Sequence, residues 1–71
     1  MKVSDVKKRV AKIKELSDTG RCTDEEAAHS EEDELQRDVL KAIAGGTCED
    51  PAACARACLR TSKLSFARWT G

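Results

Sequence analysis

Four cysteines and a single histidine are the side chains here with the most reactive potential. Cys22, Cys48, Cys54 and Cys58 are separated by 25, 5 and 3 residues. Zinc sites usually present paired ligands on Cys-x(2–4)-Cys turns or as a histidine pair on a helix. Cys54 and Cys58 would share one helical face, and Cys48 stands just before them. With Cys22 and His29 this gives five donors for four metal positions, although the two-residue knuckle is absent. The alanines around Cys54 and Cys58 favour a plainer role, since a buried free cysteine behaves as a small hydrophobe. A disulfide is the third reading. The single Cys-x3-Cys lacks the second one that helical-hairpin disulfide proteins carry.

The other reactive stretch is Ala28-His29-Ser30-Glu31-Glu32-Asp33-Glu34-Leu35. His29 has Glu25 and Asp33 one helical turn away and could hold a proton or a metal with them. Glu34 and Asp38 resemble half of an acidic magnesium site of the helical nucleotide pyrophosphatases, which need a second acidic pair on another helix. As a structural element, His29 with Glu31, Glu32 and Asp33 reads as the acidic start of a helix, solvated and facing the positive end of its dipole. Gly45-Gly46 follows a helix and precedes no Gly-Lys-Ser, so it is no phosphate loop. No nucleophile stands in a recognisable elbow. A non-enzyme is therefore expected, with no cofactor.

Three helices must position these residues. Val3, Val6, Val10 and Ile13 recur at spacings of three, four and three, the period of an amphipathic helix. Ser4 is the expected N-cap, Asp5 suits the first turn, and Gly20 ends the segment. The second helix has two candidate starts, because Thr23-Asp24-Glu25-Glu26 and Ser30-Glu31-Glu32-Asp33 both match a capping box. Its stripe is Ala28, Leu35, Val39 and Ile43 with Leu40 beside it, and Gly45-Gly46 stops it. Asp50-Pro51 opens the third, as N-cap and first helical residue. Its small side chains, Ala52 to Cys58, permit close approach. Leu64, Phe66 and Trp69 are expected to fold back as a C-terminal tail over the core. The expected fold is one all-α domain, residues 1–71.

Composition limits what such a domain does. Only 14 large apolar side chains are available, and small cores rarely supply more than about 3–5 kcal/mol. Self-association into a homodimer would suit so small a core. Net charge is zero but segregated: +4 over residues 1–21, −8 over 22–50 and +4 over 51–71. The segments can attract one another on folding, or present acidic and basic faces to a partner. The acidic middle argues against a nucleic-acid footprint, and two aromatics offer little for base stacking. No window reaches the roughly 20 apolar residues of a membrane span, and no signal-peptide core stands at the N-terminus, so a cytoplasmic location is expected.

Glu26 to Leu35, Asp38 to Ala44 and Leu64 to Trp69 together resemble a group of small open reading frames of actinobacteria and their phages and prophages. That group has no assigned activity, and the resemblance implies a setting: an accessory factor acting by binding. The leading expectation is an inhibitor or regulator docking on a host protein, with Arg56, Arg60, Phe66, Arg68 and Trp69 as its contact residues. Two alternatives stand beside it. One is a protein that sequesters a small ligand or nucleotide through those arginines and Trp69. The other is a metal module built from Cys22, His29, Cys48, Cys54 and Cys58.

Overall fold

The structure is a computed structural model that describes residues 1–64, and for Cys22 its backbone only. Three α-helices follow in order, α1 (Val3–Asp18), α2 (Cys22–Ala44) and α3 (Pro51–Leu59), and a 3₁₀ turn, Arg60–Lys63, extends α3. No strand occurs among the described residues. The chain is an all-α three-helix fold, as its periodicity requires.

Helix α1 starts earlier than expected. Its N-cap is Lys2, not Ser4, with extended backbone at φ −102° and ψ 153°. The reason lies at Asp5, whose carboxylate accepts from the Lys2 backbone N–H at 3.2 Å. That bond satisfies the donor at the cap and leaves Ser4 inside the helix. The helix ends where Gly20, at φ +70°, turns the chain into α2. Thr19 braces the turn: its hydroxyl donates to the Leu16 carbonyl and accepts from the Arg21 N–H. A connection this short makes α1 and α2 antiparallel neighbours.

Helix α2 begins at Cys22 with Arg21 as N-cap. Neither hydroxyl box caps it: Thr23 falls inside the first turn, and Ser30 lies about two turns within the helix. The expected acidic start at His29, Glu31, Glu32 and Asp33 is thereby corrected to mid-helix. The first turn carries Asp24 and Glu25 instead, which suit the positive end of the dipole without any hydroxyl. At the other end Thr47 N–H donates to the Ala42 carbonyl at 2.9 Å and Gly46 N–H to Ile43 at 3.2 Å. This is a Schellman stop, with Gly46 at φ +72° supplying the left-handed residue. Asp50 then caps α3, its side chain accepting from Ala53 N–H at 3.1 Å, with Pro51 at the first helical position.

The core is a single cluster. Val6 and Ile13 from α1 meet Ala28, Leu35 and Val39 from α2, and Cys54, Ala57 and Cys58 from α3. Met1, Val3, Val10, Leu16, Ile43, Cys48 and Leu64 pack around its edge. Leu64 thus joins the core as expected, while Phe66 and Trp69 lie outside the described residues. Arg9 ties α1 to α2 through a 2.8 Å bond to Asp38, both half-exposed. The first residue is also held: the Met1 amine donates to the Thr47 carbonyl, and Glu49 N–H donates to the Met1 carbonyl at 2.9 Å. The described residues measure 36 × 23 × 15 Å.

Leu35 is fully buried, whereas Leu40, five residues on, is 67% exposed. Leu35→Ala should therefore lower the unfolding free energy by about 2–5 kcal/mol. Leu40→Ala should change it by no more than about 0.5 kcal/mol. Urea titrations followed by helix circular dichroism check both, and equal losses would contradict this placement of the core.

Candidate functional site

Helix α3 leans on α1 as well as α2, and the seam between α2 and α3 stays open at the surface. Gln36, Val39, Leu40 and Ile43 line one wall of this groove, and Ala55, Cys58 and Leu59 line the other. Its volume is about 350 Å³. The floor is core: Val39 and Cys58 are buried. The lips are Leu40 and Leu59, the latter 63% exposed, and these are the large exposed hydrophobics among the described residues. The small Ala55 keeps the seam from filling. A wider helix face there would have closed it.

Four exposed cations stand next in sequence to residues of the groove. Arg37 and Lys41 each follow a lining residue of α2, and Arg56 and Arg60 each follow a lining residue of α3. All four are exposed. Along α2 the acids sit earlier: Asp33 lies 3.4 Å from His29, and Asp38 is engaged by Arg9. From Pro51 to Leu64 there is no acid at all. A second, polar depression runs along α2 between Ser30 and Lys41, lined by Asp33, Glu34, Arg37 and Asp38. Acids and bases are mixed along it, as on a solvated helix face.

The expected site residues separate into three groups. Arg56 and Arg60 fall beside the groove, while Phe66, Arg68 and Trp69 lie outside the described residues. His29 is half-buried beside Asp33, Glu31 is half-buried, and Glu32 is buried with only 4% of its surface exposed. Cys54 and Cys58 are core residues of α3, Cys48 is half-buried in the preceding loop, and the Cys22 side chain lies outside the described residues. Among the described residues no three His, Cys, Asp or Glu side chains gather in a way that could hold a metal ion.

Sequence reasoning read Glu32 as solvated and so missed its burial, and it missed the groove. Glu32 continues the α2 stripe one turn after Ala28 and three residues before Leu35, so its register placed it inside although its charge suggested otherwise. The groove was hidden because Leu40 adjoins the stripe and looked like part of it. A step of one residue turns the chain 100° around the helix, enough to put it outside.

Two buried thiols share this region. A hydrogen bond with Cys48, together with burial, holds the Cys54 thiol above the usual value of 9.0. Burial pushes Cys58 up as well, the nearby Glu32 charge adds to that, and Arg9 partly offsets it. Compared with family models, curated proteins and solved structures, the chain matches none.

The thiol shifts set an alkaline limit. In the unfolded chain these cysteines ionise near the ordinary value, so above it the unfolded state sheds protons that the folded state keeps. Their contribution to stability is whole below that value and is lost as pH rises through the raised folded values. The melting temperature should fall as pH rises above the free-cysteine value of about 8.5. The fall should be shallower for Cys54→Ala/Cys58→Ala, as scanning calorimetry would show. Equal slopes in the two proteins would refute it.

Proposed function

We propose that this chain is a non-enzymatic protein-binding module, an accessory factor whose docking face is the α2/α3 groove, and that it takes an acidic amphipathic helix from its partner. One observation supports the reading: Leu40 and Leu59 are exposed as the lips of a groove with a core floor, and the exposed cations Arg37, Lys41, Arg56 and Arg60 each follow a lining residue in sequence. Surface leucines scattered singly need no explanation, but two that share one concave seam do. An amphipathic helix laid in such a groove buries its apolar stripe against the leucines. Carboxylates beside that stripe would then meet the four cations. Complementary charge of this kind mainly speeds encounter and selects the partner, while the apolar contact supplies affinity. In this reading Arg56 and Arg60 keep the contact role expected of them.

The test uses defined probes. One is an 18-residue helical peptide with leucines at i, i+3, i+4 and i+7 and glutamates beside them. A second carries lysines in place of the glutamates, and a third has the leucines scrambled. Fluorescence anisotropy should show saturable binding of the glutamate peptide alone, weakening as salt rises because the rim charges are screened. Leu40→Asp should weaken that binding at least about tenfold, the scale of one lost anchor. Its melting temperature should stay close to that of the parent, since Leu40 is exposed. Binding of the lysine peptide as tightly as the glutamate one, or binding untouched by Leu40→Asp, would sink the proposal.

A further inference from the structure

Each residue of an α-helix advances the side-chain direction by about 100°, so a few fixed contacts orient a whole helix. On α1, Val6 and Ile13 face the core, and Arg9 reaches Asp38 of α2 at 2.8 Å. That bond marks the flank of α1 turned to α2. Lys7 and Lys14 each step from a core residue to the opposite flank, beside half-buried Val10, where α1 packs on α3. On α3, Cys54 faces the core and Ala55 lines the groove with α2. Arg56 is one step further round, on the outer crest, and Ala57 returns to the core on the α1 side. Arg60 falls between those two directions, and Lys63 repeats it at the three-residue period of the 3₁₀ turn.

The two rows of cations run side by side. The Met1 carbonyl accepts from Glu49 N–H, which sets the start of α1 next to the start of α3. Counted from those starts, Val3 and Pro51, Lys7 comes level with Arg56 and Lys14 with Lys63. Lys7, Lys14, Arg56, Arg60 and Lys63 are all exposed. Between Pro51 and Leu64 there is no acid, and Asp18 closes the α1 row one turn beyond Lys14. The acids that weighed against a nucleic-acid footprint belong mainly to α2, the helix that this face turns away from. Along α1 the two lysines stand about 10 Å apart, and packed helices lie about 8–10 Å from axis to axis.

We propose that Lys7, Lys14, Arg56, Arg60 and Lys63 form a second binding surface, on the α1/α3 face, for the phosphate backbone of a nucleic-acid duplex. Arg56 and Arg60, on the crest of α3, border this face and the groove alike, whereas Lys7 and Lys14 belong to this face alone. The large exposed hydrophobics among the described residues, Leu40 and Leu59, are both at the groove, so this face offers charge without an apolar anchor. A protein partner draws most of its affinity from buried anchors, and a helix that settles in a lipid surface needs an apolar side. A duplex needs neither. It carries a phosphate about every 1.7 Å of its axis, and cations that neutralise those phosphates gain free energy from the counterions released. A patch of this size spans several phosphates. Such contacts position a protein without reading bases, so the binding is independent of sequence.

The experiment titrates the full chain into a fluorescein-labelled DNA duplex of about 20 base pairs, followed by anisotropy from about 50 to 200 mM salt. The dissociation constant should lie within about 10⁻⁴ to 10⁻⁶ M, the range of binding to backbone alone. Its logarithm should change with the logarithm of salt at a slope of magnitude about 2.7 to 4.5, which corresponds to roughly three to five phosphate contacts. A duplex of unrelated sequence should bind alike. Lys7→Glu/Lys14→Glu should weaken binding at least about tenfold, since it removes two of those contacts. Both side chains are exposed, so helix circular dichroism and the melting temperature should stay close to those of the parent. Leu40→Asp should leave duplex binding unchanged, so this surface and the groove stand or fall separately. No binding at the lowest salt, or equal binding by the charge-reversed variant, would overturn the proposal. Tighter binding to anionic phospholipid vesicles or to polyglutamate than to the duplex would overturn it as well.

Discussion

Everything in this molecule depends on α1 lying close to α3. Val6 and Ile13 can reach the core because α3 presents Cys54, Ala57 and Cys58 there, side chains too small to hold the two helices apart. Close packing of this kind costs little side-chain entropy, since alanine has no rotamers to lose. The same choice of residues has a second effect. A helix that leans on α1 with small side chains cannot also fill the space beside α2. The groove at Leu40 and Leu59 and the tight core at Val6 and Ile13 are two outcomes of one constraint.

Charge arrangement follows from that geometry rather than directing it. The segregated acidic and basic segments suggested broad mutual attraction, yet the described ion pairs are few: Arg9 with Asp38, and His29 with Asp33. Both are partly exposed, where such pairs are worth about 0–1 kcal/mol. Of the α2 acids Glu26, Asp33 and Glu34 are exposed, while Glu32 is buried, and α3 with its 3₁₀ extension carries cations and no acid.

Much of the fold was legible in the sequence. The α1 stripe, Gly20, the Gly45-Gly46 stop and the Asp50-Pro51 opening are signals that act within a few residues, and short-range physics decides them. The start of α1 was misplaced, and that of α2 was left open between Thr23, one residue from the observed Cys22, and Ser30, because hydroxyl residues advertise caps that a neighbouring carboxylate or an extended backbone can pre-empt. Lys2 and Arg21 carry no such advertisement. The site was harder to see. Cys54 and Cys58 were legible as core residues from their alanine neighbours, but the packing of Cys48 against the core depends on how its loop returns to α3, a path that spacing alone does not record. Arg56 and Arg60 were found as cations, and only the tertiary arrangement gave them leucines to flank.

The 15 Å thickness recorded for the described residues has a thermal consequence. At roughly one and a half helix diameters, the body has one layer of interior and no second layer behind it. Little apolar area leaves water on folding, so the heat-capacity change between the two states is small, and with it the curvature of stability against temperature. The unfolding enthalpy, which scales with chain length, is small as well and spreads the thermal transition over a broad span of degrees. Its stability is nearly level across the range in which cells live, and cooling does little to weaken it.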